Sequence, residues 1–242
     1  MVGPLPIRDT ARQVVRIYRE DAAFLIGVAL LVFIPLTLVE AAVEPLQEVE
    51  AEDLGDSAIL AALAAIFVSA ASGTLGEEFY IGVAMAVVTQ AIVGKPRPSL
   101  RTVARTTPYL RLIGVSLLFA FGLALGLVFL IVPGVVFFTW FVLAAPLVKI
   151  EDLGVFAAFR RSRQLERANF WRVLVLVGSV FVLSEVLTSV LQAIGGDWLG
   201  HSLTSEWVLG VVVAVIVLPI WAVAVDVTAW RLVHMERDAA SE

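Results

Sequence analysis

Runs of about twenty apolar residues alternate along this chain with short charged segments. A helix needs about twenty such residues to cross about 30 Å of hydrocarbon. The pattern therefore predicts spans over Ala22–Val39, Leu112–Val132, Gly134–Val148, Val173–Ile194 and Trp207–Trp230. A longer apolar tract, Ser57–Val93, is too long for one crossing and too short for two comfortable ones. We read it as one crossing over Leu75–Val93, preceded by an apolar helix, Ser57–Ala71, at the outer interface or against the bundle, with Ser72, Gly73 and Gly76 as break points. The expected fold is an all-α polytopic membrane helical bundle of about six transmembrane helices.

The charges are sorted by side. Arg8, Arg12, Arg16 and Arg19 precede the first span, and Lys95, Arg97, Arg101, Arg105 and Arg111 fill the second connection. Lys149, Arg160, Arg161, Arg163, Arg167 and Arg172 lie in or beside the fourth, and Arg231 and Arg237 follow the last. These are all 17 basic residues, and six spans put every one on the same face. The opposite connections, Glu40–Asp56 and Gly195–Glu206, carry only acidic charge. Basic residues in short loops stay cytoplasmic, so both termini are expected inside a cell membrane. Two crossings within Ser57–Val93 would break this sorting.

The basic segments are amphipathic. Ile7, Ala11, Val14 and Tyr18 share one helical face and Arg8, Arg12, Arg16 and Arg19 another. Ser99 is a suitable N-cap for a short helix with Leu100, Val103 and Ala104 on one side, Arg101 and Arg105 on the other, and Pro108 as its stop. Val155–Asn169 is less regular, because Arg163 and Glu166 intrude on its Phe156/Phe159 face. Each segment is expected to lie in the interface as an elbow, apolar face down, either orienting the spans or contacting anionic lipid through Arg8, Arg12, Arg16, Arg19, Arg101, Arg105, Arg160 and Arg161. Each also ends in an aromatic and an arginine before an outward-going span: Tyr18-Arg19, Tyr109-Leu110-Arg111, Phe170-Trp171-Arg172. That layout suggests three units of elbow plus hairpin. The organisation expected is a cytoplasmic amphipathic helix over residues 1–21, a six-span domain over 22–230, and a cytoplasmic tail over 231–242.

Composition agrees. The chain is 60% hydrophobic and 16% charged over 242 residues, with a mean hydropathy of +0.95. Soluble domains are about 45–50% apolar. With no cysteine, thiol nucleophiles, disulfides and zinc–thiolate sites are excluded. His201 and His234 are too few and too far apart for a histidine metal cluster. The first apolar run lacks a small-residue cleavage pattern, so it reads as a span and not a signal peptide.

Leu130-Ile131-Val132-Pro133-Gly134-Val135 begins a pattern continued by Ala145-Pro146, Glu151, Gly154, Ala158-Phe159-Arg160-Arg161-Ser162, Leu165 and Phe170-Trp171-Arg172. This resembles the membrane domain found with glycerophosphoryl diester phosphodiesterases and related multi-span bacterial and archaeal proteins. The resemblance covers the central third of the chain, and Arg163, Glu166 and Ala168 depart from it where an aromatic, a threonine and a glycine are common. It implies a six-span fold and no enzyme, since in the fused proteins the chemistry belongs to a separate soluble barrel. Pro133-Gly134 is expected to end one helix and begin the next at the outer surface.

Glu77-Glu78 partly imitates the paired glutamates of intramembrane CAAX-type proteases, but the following arginine is missing and neither histidine sits in an expected span. An activated water needs a complete ligand or base set, so these glutamates are expected near the outer headgroups. Glu185 stands mid-span with Thr188, Ser189 and Gln192 following at helical spacing and Ser184 preceding. Asp226 lies within the last span, above Arg231. Ionisable groups in hydrocarbon are costly and face a bundle interior or a water-filled cavity. We expect Glu185 to be uncharged and turned toward other helices, and Asp226 to pair with Arg231. Gly122 and Gly126 form a G-x-x-x-G suited to close helix packing.

No Walker loop, dinucleotide fingerprint or nucleophile elbow occurs, and no cofactor is expected. The basic segments are short and membrane-adjacent, which argues against nucleic acid. The leading expectation is a non-enzymatic module, a scaffold, anchor or assembly partner on the anionic inner leaflet, whose partners are membrane lipids and another membrane or cytoplasmic protein. The alternative is a small transporter or lipid-handling protein using the stripe around Glu185. An intramembrane hydrolase stands third.

Overall fold

The computed structural model describes residues 4–43, 76, 78–199 and 203–241. Every regular element among them is an α-helix: α1 (Ile7–Val43), α2 (Glu78–Val93), α3 (Leu100–Thr106), α4 (Tyr109–Phe129), α5 (Ile131–Phe141), α6 (Ala144–Ile150), α7 (Val155–Glu166), α8 (Phe170–Leu199) and α9 (Leu203–Ser241). Five stretches among the described residues are long and apolar enough to cross a membrane: Ile7–Leu38, Tyr109–Gly126, Ile131–Ile150, Phe170–Leu191 and Ala214–Ser241. The protein is a multi-pass α-helical membrane bundle. The sixth expected crossing falls on α2, which is apolar but shorter over its described length. The expected interfacial helix Ser57–Ala71, the acidic segment around Glu48 and His201 lie outside the described residues.

Local chemistry explains the breaks. Gly94 adopts φ +70, and Lys95 N–H reaches back to the Gln90 carbonyl (2.9 Å), ending α2 in the left-handed conformation that glycine tolerates. Ser99 caps α3, accepting from Thr102 N–H (3.2 Å), and the helix stops at Thr106 ahead of Pro108. One extended residue, Leu130, separates α4 from α5, and Pro133 sits in the first turn of α5, where its missing N–H costs nothing. Pro146 cannot donate to the Val142 carbonyl, and the chain turns at Val142–Leu143 between α5 and α6.

The glycine pair serves the α4–α5 hairpin. A Cβ on Gly126 would stand 2.8 Å from the Gly134 Cα, and one on Gly122 would strike the Phe137 ring. The two helices approach because those atoms are absent.

Three apolar clusters hold the bundle. α1, α2 and α9 share the first, around Ile17, Leu25, Val83, Val87 and Val223. Leu5 joins Leu143, Leu165, Val177 and Leu232 in the second, and the third places Leu112 and Val115 against Ala144, Val148 and Phe159.

Several expectations change here. Residues 7–19 are not a separate elbow: α1 runs without a break through residue 21, and its apolar face packs on protein. Ile7 and Ala11 meet the second cluster and Val14 and Ile17 belong to the first, because α9 lies along α1. Of the three basic segments, those of α3 and α7 form short helices of their own and the first does not. Helices also replace most of the loop expected over Gly195–Glu206, with α8 reaching Leu199 and α9 starting at Leu203. α7 is turned differently from its expected face. Phe156 is 78% exposed, while Ala158, Phe159, Ser162, Leu165 and Glu166 are buried.

A candidate site within the bundle

α2, α4, α6 and α9 bring four polar side chains into the apolar interior. Asp226, on α9, is 2% exposed. Glu78, at the start of α2, is 1% exposed and accepts a short hydrogen bond from the Ser116 hydroxyl of α4. Lys149, near the end of α6, donates to the Gly82 carbonyl (2.7 Å) and acts electrostatically on Asp226 without a direct ion pair. One Asp226 carboxyl oxygen, Oδ2, is buried with no hydrogen-bond partner. A buried polar atom left unsatisfied costs about 1–3 kcal/mol, and beside Asp226 there is room for a partner.

That place is a cavity of about 370 Å³, bounded by Val115, Ser116, Phe119, Ala145, Trp221 and Asp226 among others. Small-molecule sites span about 300–1,000 Å³ and are mainly apolar with a few placed polar groups. Phe119 and Trp221 extend into an aromatic cluster with Phe138 and Phe181, which stiffens the apolar wall. Leu117 and Ala120 also line the cavity and are exposed, Leu117 at 62%, so its mouth opens sideways on α4.

A second buried carboxyl lies nearer the basic end. Glu166, at the end of α7, accepts from the Ser162 hydroxyl (3.0 Å) and the Leu143 backbone, and thereby caps the break between α5 and α6. Burial pushes its carboxyl well above the usual range, and these two hydrogen bonds only partly oppose that. Beside it, Arg161 pairs with Glu151 (2.7 Å) and, through a shorter contact, with Glu236, tying α7 to the end of α9. Both partners hold the Arg161 guanidinium above its ordinary pKa.

Of the residues singled out from sequence, the structure joins Asp226 to a site and disperses the rest. Glu185 does not face other helices: its side chain is exposed on α8. Ser184, one residue earlier, takes the inward position, so the spacing was sound and the phase was wrong. Thr188 is half-buried, Ser189 bonds the Glu185 carbonyl of its own helix (2.8 Å), and the Gln192 side chain lies outside the described residues. Asp226 does not pair with Arg231. Five residues on a helix turn the two to different faces, and Arg231 bonds Gln13 (2.5 Å) and Thr10 (3.4 Å) of α1. Glu78 is enclosed by protein, and Glu77 lies outside the described residues. Arg8, Arg12, Arg16, Arg19, Arg101, Arg105 and Arg160 are exposed, whereas Arg161 is committed to its ion pairs.

Lys149 and Ser116 escaped the sequence reading, and Glu78 was singled out there for a different chemistry. Lys149 stands directly against an apolar run, Ala144–Val148, and was counted with the loop charges. A lysine at a span's edge and a carboxylate within another were the available signal. Compared with known proteins, the chain matches no family model, and no curated protein or solved structure matches it.

Proposed function

We propose that this chain is a small carrier or lipid-handling membrane protein that binds its ligand in the Asp226 cavity. The observation that carries the reading is the unpartnered Asp226 Oδ2, buried at a cavity that opens sideways between helices. Intramembrane ionisable groups mark ligand and ion paths, and here a lysine on a neighbouring helix completes the pattern. The reading relocates the expected site from Glu185 to Asp226 and needs no reaction step. It is compatible with the resemblance to phosphodiesterase membrane domains, where catalysis belongs to a different part. The charge sorting supports a cell-membrane location with both termini in the cytoplasm.

Mass spectrometry of extracts from the purified protein tests it. The wild type is expected to retain at least one small amphiphile that is depleted in Asp226→Asn and in Ala145→Phe, which fills the cavity. Identical extracts from all three would reject the carrier reading.

A second reading, an anchor on the anionic inner leaflet, is favoured by the exposed row Arg8, Arg12, Arg16 and Arg19 on α1. It does not use the cavity. The two readings can hold together.

A further inference from the structure

Where α5 meets the turn between α7 and α8, arginine and tryptophan gather without an acid. A groove of about 630 Å³ runs between Val136 and Trp140 of α5 and residues 167–172. Arg167 is exposed. Arg172 is half-buried, gives one N–H to the Leu5 carbonyl (3.2 Å) and keeps its other donors. Arg163 is exposed as well and lies over the ring of Trp140, which walls the groove. Among the described residues none of these three arginines forms an ion pair, whereas Arg97, Arg111 and Arg161 each have a carboxylate. Glu166, the acid next to Arg167 in sequence, is turned to Ser162 and the Leu143 backbone. The arginine row of α1 differs: it borders a hollow of its own, but Glu20 lines that hollow and Arg12 pairs with Asp9.

We propose that this groove binds one anionic phospholipid, its phosphate taken by Arg167 and Arg172 and its acyl chains laid along α5 and α8. A guanidinium meets a phosphate with paired, charge-assisted hydrogen bonds. Positive charge with no acid beside it favours a head of net negative charge over a zwitterionic one. The apolar surface beside the arginines decides between a lipid and a free phosphate ester. Val136 and Val132 continue from Trp140 at four-residue steps along α5, and Val175 follows Trp171 by the same step on α8. Val132 is 70% exposed, Trp171 74% and Val175 55%, so the path leading away from the arginines is open and made of carbon. Tryptophan set between apolar residues and arginine is the arrangement that a membrane–water interface selects. The site is separate from the Asp226 cavity and does not rest on the carrier reading.

Native mass spectrometry of the full-length protein in detergent, titrated with dioleoylphosphatidylglycerol, dioleoylphosphatidylcholine or the chain-free head group glycerophosphoglycerol, tests the proposal. Phosphatidylglycerol is expected to give one tight adduct, about tenfold stronger than that of phosphatidylcholine. Glycerophosphoglycerol should not displace it at equal concentration. Arg167→Gln should weaken the adduct about fivefold. Lys95→Gln removes the same charge from another exposed position and should leave the adduct unchanged. Ala168→Trp fills the groove from an exposed position without changing its charge, and should abolish the adduct even if Arg167→Gln fails to fold. Equal adducts from the two lipids, or equal losses in Arg167→Gln and Lys95→Gln, would overturn the site in favour of diffuse attraction. Displacement by glycerophosphoglycerol would overturn the lipid in favour of a free phosphate ester. An adduct that survives Ala168→Trp would overturn the groove as its location.

Discussion

Two of the buried carboxyls, Glu166 and Asp226, differ in what surrounds them. Glu166 is fully enclosed, with Ser162 and the Leu143 backbone as its donors. Its neighbours in sequence, Arg163 and Arg167, are exposed, and Arg163 lies over the Trp140 ring (4.6 Å). With its folded pKa raised by burial, Glu166 holds its proton more tightly in the folded chain than in the unfolded one. The stabilisation it gives is complete below the ordinary glutamate range and is lost as pH rises through the folded value. The largest slope one such group can give is about 1.4 kcal/mol per pH unit. Glu166→Gln, which keeps the shape and cannot ionise, should therefore unfold at a temperature that rises relative to wild type as pH increases from about 5 upward. Parallel melting curves across that range would show that Glu166 is ionised in the folded protein. The sequence reading noticed Glu166 as an intruder on an apolar face and could not see why it was there. The break at Val142–Leu143 that it caps is made by Pro146, about twenty residues away and visible only once the chain is folded.

At the scale of elements, the helices were legible and their partners were not. Apolar run length gave the spans, Ser99 and Pro108 gave α3, and Gly122/Gly126 gave a packing motif whose partner turned out to be Gly134. Hydrophobicity says how deep a segment lies but not which face meets protein and which meets lipid, since both are apolar. That is why Glu185 was placed inward and why residues 7–19 were laid on the bilayer instead of on α9. Two substitutions check the packing. Gly126→Ala should lower stability by about 1–3 kcal/mol, as overpacking against backbone does, because the Gly134 Cα cannot yield as a side chain would. Gly27→Ala in α1, where a Cβ meets nothing within 4 Å, should be neutral or stabilising by up to about 1 kcal/mol. Equal melting temperatures for the two variants in detergent would contradict the hairpin geometry. A third change loosens a different joint. Arg161→Gln leaves Glu151 and Glu236 without their shared cation, a loss of about 1.5–3 kcal/mol for hydrogen bonds to charged groups, less solvent screening. Hydrogen exchange over residues 232–241 should quicken, while the α4–α5 hairpin stays protected.

For the whole molecule, the sorting of charge is the strongest statement the sequence makes, and the fold gives it a physical shape. The exposed arginines of α1, α3 and α7 project from the same end of the bundle that holds the Arg161 network and the Arg97–Asp21 and Arg111–Asp152 pairs. That end is therefore polar and held together by charge. If the basic end is cytoplasmic, single cysteines report it cleanly, because the chain contains none of its own. Ser99 and Ser241 are exposed, and cysteines there should resist a membrane-impermeant thiol reagent in intact cells and react after permeabilisation. Cysteines in place of Glu48 and His201, in the acidic connections, should react without permeabilisation. Ser162 is unsuitable despite its place in a basic segment, since it is fully buried against Glu166 and would stay silent from either side. Labelling at positions 99 and 241 from outside, with a cysteine in place of the exposed Arg8 still protected, would mean that the chain crosses three times before α3. Both α2 and the tract before it would then need separate crossings, and the one-sided arrangement of the arginines would have to be abandoned.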